Sequence, residues 1–179
     1  MAIAGDQAKF DEGAAAYDAG EYKKAFKIFS GLAEHYDLAA MRNVALMERD
    51  GLGTDKDPDA AQDMMEGAAI RGLPTAQSDL AVMLLDGFAG PPDPKAALPW
   101  LEKASAANHP VAQYRLGLLY EDGRVVPKDL RRAASLYEQA SSRMPEAVAR
   151  LAALKASGIE PPPPPPPGMQ GPVSVPPNR

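Results

Sequence analysis

Apolar residues return at i, i+3, i+4 and i+7 along most of this chain. Ala25, Ile28, Phe29 and Leu32 form the first such set, and Ala61, Met64, Met65 and Ala68 the second. Ala97, Trp100, Leu101 and Ala104 form the third, and Ala133, Leu136, Tyr137 and Ala140 the fourth. This spacing places each set on one face of an α-helix. The last three sets have alanine at both ends and larger residues in the middle, so a neighbouring helix can approach closely at the alanines. The sets stand 36 residues apart, and so do Ala40, Ala76 and Ala112.

The polar and special residues keep the same step. Gly51, Gly87 and Gly123 come directly after helices predicted over 39–50, 75–86 and 111–122. A glycine there can end a helix at positive φ. Gly53, Gly90, Pro91, Pro92 and Pro127 mark the next segments as loops. Asp57, Asp93 and Asp129 then stand where the next helix begins, each fit to accept backbone N–H bonds as an N-cap. Pro74, Pro110 and, one residue early, Pro145 open the helix after each joint. Ala45, Ala81 and Gly117 are the small central residues of the first helices, and Gly13 takes that part near the N-terminus, where helices are predicted over 6–19 and 21–35.

A period of this length marks stacked two-helix units. The expected fold is all-α, an alpha-alpha superhelix (solenoid) of four two-helix repeats with a capping helix and a tail. The repeats span 6–39, 40–75, 76–111 and 112–144, the capping helix 145–158, and the disordered proline-rich tail 159–179. Pro161 to Pro167 is an unbroken run of seven. Such a run predicts an extended polyproline II spacer of about 20 Å, and it can serve as a stiff tether or dock in an aromatic-lined groove.

The motifs resemble a known family. Ala112, Leu116, Gly117, Tyr120 and Gly123, together with Asp129, Ala133, Tyr137 and Ala140, look like a Sel-1-like repeat. Residues 76–111 match through Ala76, Leu80, Gly87, Asp93, Ala97, Trp100, Lys103 and Ala104. Residues 40–75 diverge: Val44 and Ala45 replace the leucine–glycine pair, and Met47 or Glu48 replaces the aromatic. Residues 6–39 are more similar to a tetratricopeptide repeat through Gly13, Tyr17, Gly20, Tyr22, Ala25 and Phe29. The resemblance implies a bacterial adaptor or scaffold with no catalytic activity, holding a peptide or protein segment on its concave face. The alternatives are a self-associating structural module and, less favoured, an enzyme.

Carrying the tetratricopeptide groove positions onto this chain gives a set of expected contact residues. They are Phe10, Ala14 and Tyr17; Arg42, Leu46 and Arg49; Ser78, Val82 and Leu85; and Tyr114, Leu118 and Glu121. Arg42 and Arg49 stand beside an apolar stripe in an acidic chain, which points to an acidic or C-terminal peptide segment. The alternative is that these residues pack and solvate a surface.

Composition narrows the chemistry. The chain has 179 residues, 45% hydrophobic with much alanine and only 6% aromatic, and a net charge of -5. An acidic chain without a basic run is a poor nucleic-acid ligand. The absence of cysteine removes disulfides, zinc–thiolate sites and cysteine nucleophiles. His35 and His109 have no metal-ligand spacing, and Gly51-Leu52-Gly53 is a repeat loop and not a dinucleotide fingerprint. Asp55, Asp57 and Asp59 alternate, but Pro58 and the missing glycine and glutamate argue against a calcium loop. No cofactor or metal is therefore expected, no stretch is long enough to span a bilayer, and a monomer is expected. Residues 1–5 lack the basic start and apolar run of a signal peptide. The expected location is cytoplasmic, or periplasmic if a signal has been removed.

Overall fold

The computed structural model describes residues 2–163, with side chains from residue 6 onward. The last four prolines of the run and the rest of the predicted tail, residues 164–179, lie outside the described residues. Helices account for most of the described chain. They are α1 (Ala2–Asp18), α2 (Tyr22–Ala33), α3 (Leu38–Asp50), α4 (Pro58–Ile70), α5 (Pro74–Asp86), α6 (Pro94–Ala106), α7 (Pro110–Asp122), α8 (Leu130–Ala140) and α9 (Pro145–Ala156). The all-α class, the succession of helical pairs and the additional last helix agree with the sequence reading. The chain divides into two compact units inside α6, the first ending at Ala97 and the second beginning at Leu98.

In the first unit α1 packs on α2, α2 on α3, α3 on α4 and α4 on α5. In the second, α7 packs on α8 and α8 on α9. The repeated alanines lie inside these layers: Ala25, Ala40, Ala61, Ala68 and Ala76 are fully buried, as are Ala112, Ala133 and Ala140. Between them sits one large side chain per repeat, at Phe29, Met65, Leu101 and Tyr137, again at a step of 36. The size of the facing residue tracks the size of this plug. Gly13 lies against the Phe29 ring and Gly117 against the Tyr137 ring. By register the smaller plug Met65 goes with Ala45. Interiors packed to crystal density leave no other way to fit two ring systems between helices. Met64 and Trp100, expected in the core, are only half-buried. Both stand one position before the plug, about 100° round the helix, and Lys103 Nζ lies 4.3 Å from the Trp100 ring centroid.

The connections repeat as closely as the helices. Gly51, Gly87 and Gly123 adopt φ of 71°, 70° and 80° and end α3, α5 and α7. The chain then returns in a short loop, closed when the Asp57 N–H donates to Glu48 O, Asp93 to Leu84 O and Asp129 to Tyr120 O, at 3.1, 2.8 and 2.9 Å. Each aspartate side chain accepts a backbone N–H three residues on, at Ala60, Ala96 and Arg132. They are N-caps, as their spacing predicts, each worth about 0.5–2 kcal/mol. Asp37 does the same for α3, accepting from Ala40 N at 2.9 Å. At the joints the left-handed position falls at Tyr36, Gly72 and Asn108, one period apart. Tyr36 occupies it at φ 61° with its exposed ring under the Arg71 guanidinium, 4.5 Å away.

Pro99 lies inside α6, on its exposed side. Its ring nitrogen cannot donate to the carbonyl of Lys95, so this turn lacks one helical bond.

Glu48 breaks the register. Leu84 and Tyr120 hold the equivalent places in the next two repeats. The Glu48 Oε2 atom is buried without a hydrogen-bond partner. Burial first, and then the negative charge of Asp57, push its carboxyl above the ordinary carboxylate range. Replacing it by leucine should therefore stabilise the protein by about 1–2 kcal/mol at neutral pH. The folded state holds this proton more tightly than the unfolded chain does. Its contribution is therefore fullest at low pH, and is lost as pH rises from the unfolded value through the raised one. The melting temperature of Glu48→Leu should pull ahead of wild type as pH rises above the ordinary glutamate value. A gap that does not widen from acid to neutral pH would refute this assignment.

Candidate functional site

A depression on the first unit lies between α1 and α3. Ala14, Tyr17 and Asp18 come from α1, and Asn43, Leu46 and Met47 from α3. Each helix thus contributes an i, i+3, i+4 triplet, one face at helical period. Phe29 of α2 and Met47 are almost fully buried. The cavity measures about 210 Å³. Tyr17 is held edge-on against Tyr22, with ring centroids 5.3 Å apart and planes at 69°. Asp18 and Asn43 supply the polar groups: a carboxylate that accepts, and an amide that can donate and accept.

The two arginines have different surroundings. Arg42 Nε donates to Asp79 Oδ2 on α5 at 2.5 Å, so its guanidinium ties one repeat to the next. Arg49 makes a two-pronged pair with its neighbour Asp50, both bonds 2.8 Å. That hydrogen bond first holds the Arg49 pKa above its ordinary value, and the charges of Asp50, Asp79 and Tyr17 act in the same direction. The same bond lowers the Asp50 carboxyl. The Arg49–Asp50 pair is largely exposed, with side chains 38% and 43% accessible, which makes it worth no more than about 1 kcal/mol. Arg49 can therefore exchange partners at little cost, whereas Arg42 is engaged in holding α3 to α5.

The structure brings Ala14, Tyr17 and Leu46 of the expected contact set into one pocket. Phe10 is half-buried and packs on Phe29 at 5.3 Å. Val82 and Leu85 are half-buried on α5. Ser78 is fully buried, with no partner for its hydroxyl, and so offers no surface to a ligand. Its place in the expected set follows from the tetratricopeptide groove positions, and the face of α5 that carries it is turned into the core.

In the second unit Tyr114 and Leu118 are half-buried. Glu121 is committed: one oxygen accepts from the Tyr137 hydroxyl at 2.6 Å and the other from Arg150 at 3.0 Å. Burial and this bond push the Tyr137 phenol far above its ordinary pKa, so it stays protonated and donates. Glu121 thus joins α7 to α8 and α9. Asp18, Asn43, Tyr137 and Arg150 were absent from the expected set. Asp18 and Asn43 each adjoin a predicted residue (Tyr17 and Arg42), and a face one residue wider would have included both.

Among the described residues no three His, Asp or Glu side chains gather as a metal ion would require. His35 Nδ1 lies 2.9 Å from the Gly31 carbonyl. Among the described residues no helix is long and apolar enough to cross a membrane.

The model of the Sel1 repeat matches residues 38–73, 74–109 and 110–143, more than half of the chain. The chain belongs to the Sel1 repeat family. The matched Sel1 segments open on the first residues of α3, α5 and α7. A Sel1 repeat protein from Oxalobacter formigenes superposes with a TM-score of 0.78 at 30% identity, over 83% of this chain and 61% of that one. The immunity protein Pa5087 from Pseudomonas aeruginosa superposes with 0.60 at 26% identity, over 83% and 58%. The protective antigen c5321 of uropathogenic Escherichia coli, which displays an SLR fold, gives 0.77 at 24% identity over 85% and 34%, a likeness of fold alone. The chain therefore spans about 61%, 58% and 34% of the lengths of these structures. No curated protein matches it. The family and fold are those of non-catalytic repeat proteins generally used for protein interactions.

Proposed function

We propose that this Sel1 repeat protein is a scaffold that holds a peptide or protein segment on its first-helix face, anchored between α1 and α3. The observation that carries this reading is the pocket itself. It has an apolar floor and walls, a donor–acceptor amide and a carboxylate, and an exchangeable arginine on the same helix as Asn43 and Leu46. An apolar side chain fits the cavity, the Asn43 amide can bond to the main chain of an extended segment, and Arg49 can take a carboxylate from Asp50. The fitting segment is an apolar residue with an acidic or C-terminal carboxylate after it. Arg42, Val82 and Leu85 extend the face along the first unit for the remainder of the partner.

Synthetic peptides ending in an apolar residue and a free carboxylate, alongside amidated versions, test it by calorimetric titration. Leu46→Asp is expected to abolish binding by placing a charge in the apolar wall. Arg49→Ala should weaken the free-carboxylate peptides by about tenfold, or about 1.4 kcal/mol, and leave the amidated ones unchanged. Arg42→Ala should lower the melting temperature more than the affinity. Unchanged affinity in both Leu46→Asp and Arg49→Ala would remove this pocket from the binding face.

A further inference from the structure

A second cavity of the first unit, of about 320 Å³, is formed around the loop that follows α5. Its size is at the lower end of the range for ligand pockets. Helix α5 contributes Met83, α4 contributes Gln62, and the loop contributes Phe88, Pro92 and Asp93. Asp93 Oδ1 accepts the capping bond from Ala96 N at 2.9 Å. Its other oxygen and the Gln62 amide have no partner among the described residues. The site shares no residue with the pocket between α1 and α3, and its argument does not rest on that pocket.

The two sister loops carry bases that this one does not. Lys56, Pro92 and Lys128 stand one period apart, each directly before its capping aspartate. Lys56 lies against Gly51 and Lys128 against Gly123, whereas Pro92 takes that place against Gly87. The acids that end the preceding helices, Asp50, Asp86 and Asp122, keep the same step. Asp50 pairs with Arg49, and Asp122 with Arg124 at 3.1 Å. The Arg49 hydrogen bond foremost, and the charge of Lys56 after it, lower the Asp50 carboxyl. In the middle repeat Leu85 stands in register with Arg49, and Phe88 with Arg124. Asp86 has no ion pair among the described residues. Asp86 and Asp93 thus flank a loop that is apolar at each position where a sister repeat is basic.

We propose that this cavity receives a lysine side chain of a protein partner, which supplies the cation that the loop itself lacks. The aliphatic stem of the guest covers Phe88 and Pro92, as lysine stems cover apolar surface elsewhere. Its ammonium donates to the open oxygen of Asp93 and to the Gln62 amide oxygen. The Phe88 ring adds attraction for a cation. Charge selects this guest over others. An anionic side chain would meet Asp93 and the nearby Asp86, and a neutral apolar one would leave the Asp93 carboxylate without a counter-charge.

The probe is N-acetyl-lysine N-methylamide, with the norleucine derivative of the same build as the neutral control. The full chain is titrated with each, and the amide signals of Gln62, Phe88 and Gly90 are followed by NMR. The lysine probe should give saturable shifts with a Kd of about 1 mM, and the norleucine probe should bind at least about tenfold more weakly. Asp93→Asn keeps a residue that caps helices well. It should weaken the lysine probe about tenfold and leave the norleucine probe unchanged. Pro92→Lys, which installs the residue of the sister loops, should abolish lysine binding while the signals of α3 stay in place. Leu46→Asp should bind the lysine probe as wild type does, so an outcome at the α1–α3 pocket is read separately. Absence of a saturable shift at about 10 mM lysine probe would overturn the proposal. Equal binding of the norleucine probe would do the same, as would undiminished lysine binding in either Asp93→Asn or Pro92→Lys.

Discussion

Gly117→Leu should cost about 3 kcal/mol, near the top of the range for overpacking a core. Even a single added carbon at Gly117 would lie 2.6 Å from Tyr137 Cε1 and 3.0 Å from Cδ1. The ring cannot step aside freely, because Tyr137 is fully buried and its hydroxyl is fixed on Glu121. Moving it also disturbs the carboxylate that receives Arg150, and so the seating of α9. Leucine has a better helix propensity than glycine by less than about 1 kcal/mol, too little to offset the clash. Tyr137→Phe separates the two causes. It keeps the ring and loses only the bond to Glu121, with an expected cost near 1 kcal/mol. Urea unfolding of the three proteins would decide the matter. A Gly117→Leu protein as stable as wild type would refute the plug-and-socket account of α7 and α8.

Gly53→Ala should cost about 2–4 kcal/mol, although it adds one methyl group in a loop. Two penalties combine. Gly53 has φ of 76°, a conformation that costs a residue with a Cβ roughly 1–2 kcal/mol. The added carbon would also meet the Tyr22 carbonyl, with its oxygen at 2.2 Å and its carbon at 2.4 Å. These are backbone atoms at the start of α2, so relief requires moving the loop or the helix. Tyr22 also braces Tyr17, a wall of the proposed anchor pocket. Displacement there should weaken peptide binding as well as lower the melting temperature. Gly72→Ala is a useful control. Its φ is also positive, at 93°, but an added carbon meets nothing within 4 Å. Equal losses at the two glycines would show that backbone conformation alone is responsible.

Most of the helical architecture was legible in the sequence because it rests on local rules applied at one period. The apolar faces, the glycine stops, the aspartate caps and the proline starts each depend on a few neighbouring residues. They were found where the 36-residue step puts them, except that Pro145 opens α9 one residue early. Even the exception at Glu48 was visible as a departure from the register, though not its buried, unpaired oxygen. The binding face was read less well, since helical counting says which residues share a face but not what that face meets. Ser78 was counted onto the surface and is buried. Glu121, expected among the contact residues, is shared by Tyr137 and Arg150.

By itself, the sequence determined the helices, their ends and the residues that plug each pair, because backbone capping and side-chain size act over short range. Tertiary structure decided which charges are already paired and where α1 and α3 leave space for a guest. Those outcomes depend on side chains far apart in the chain, such as Arg42 with Asp79 and Glu121 with Arg150. No periodic rule relates such pairs, and their energies arise only when packing brings them within bonding distance.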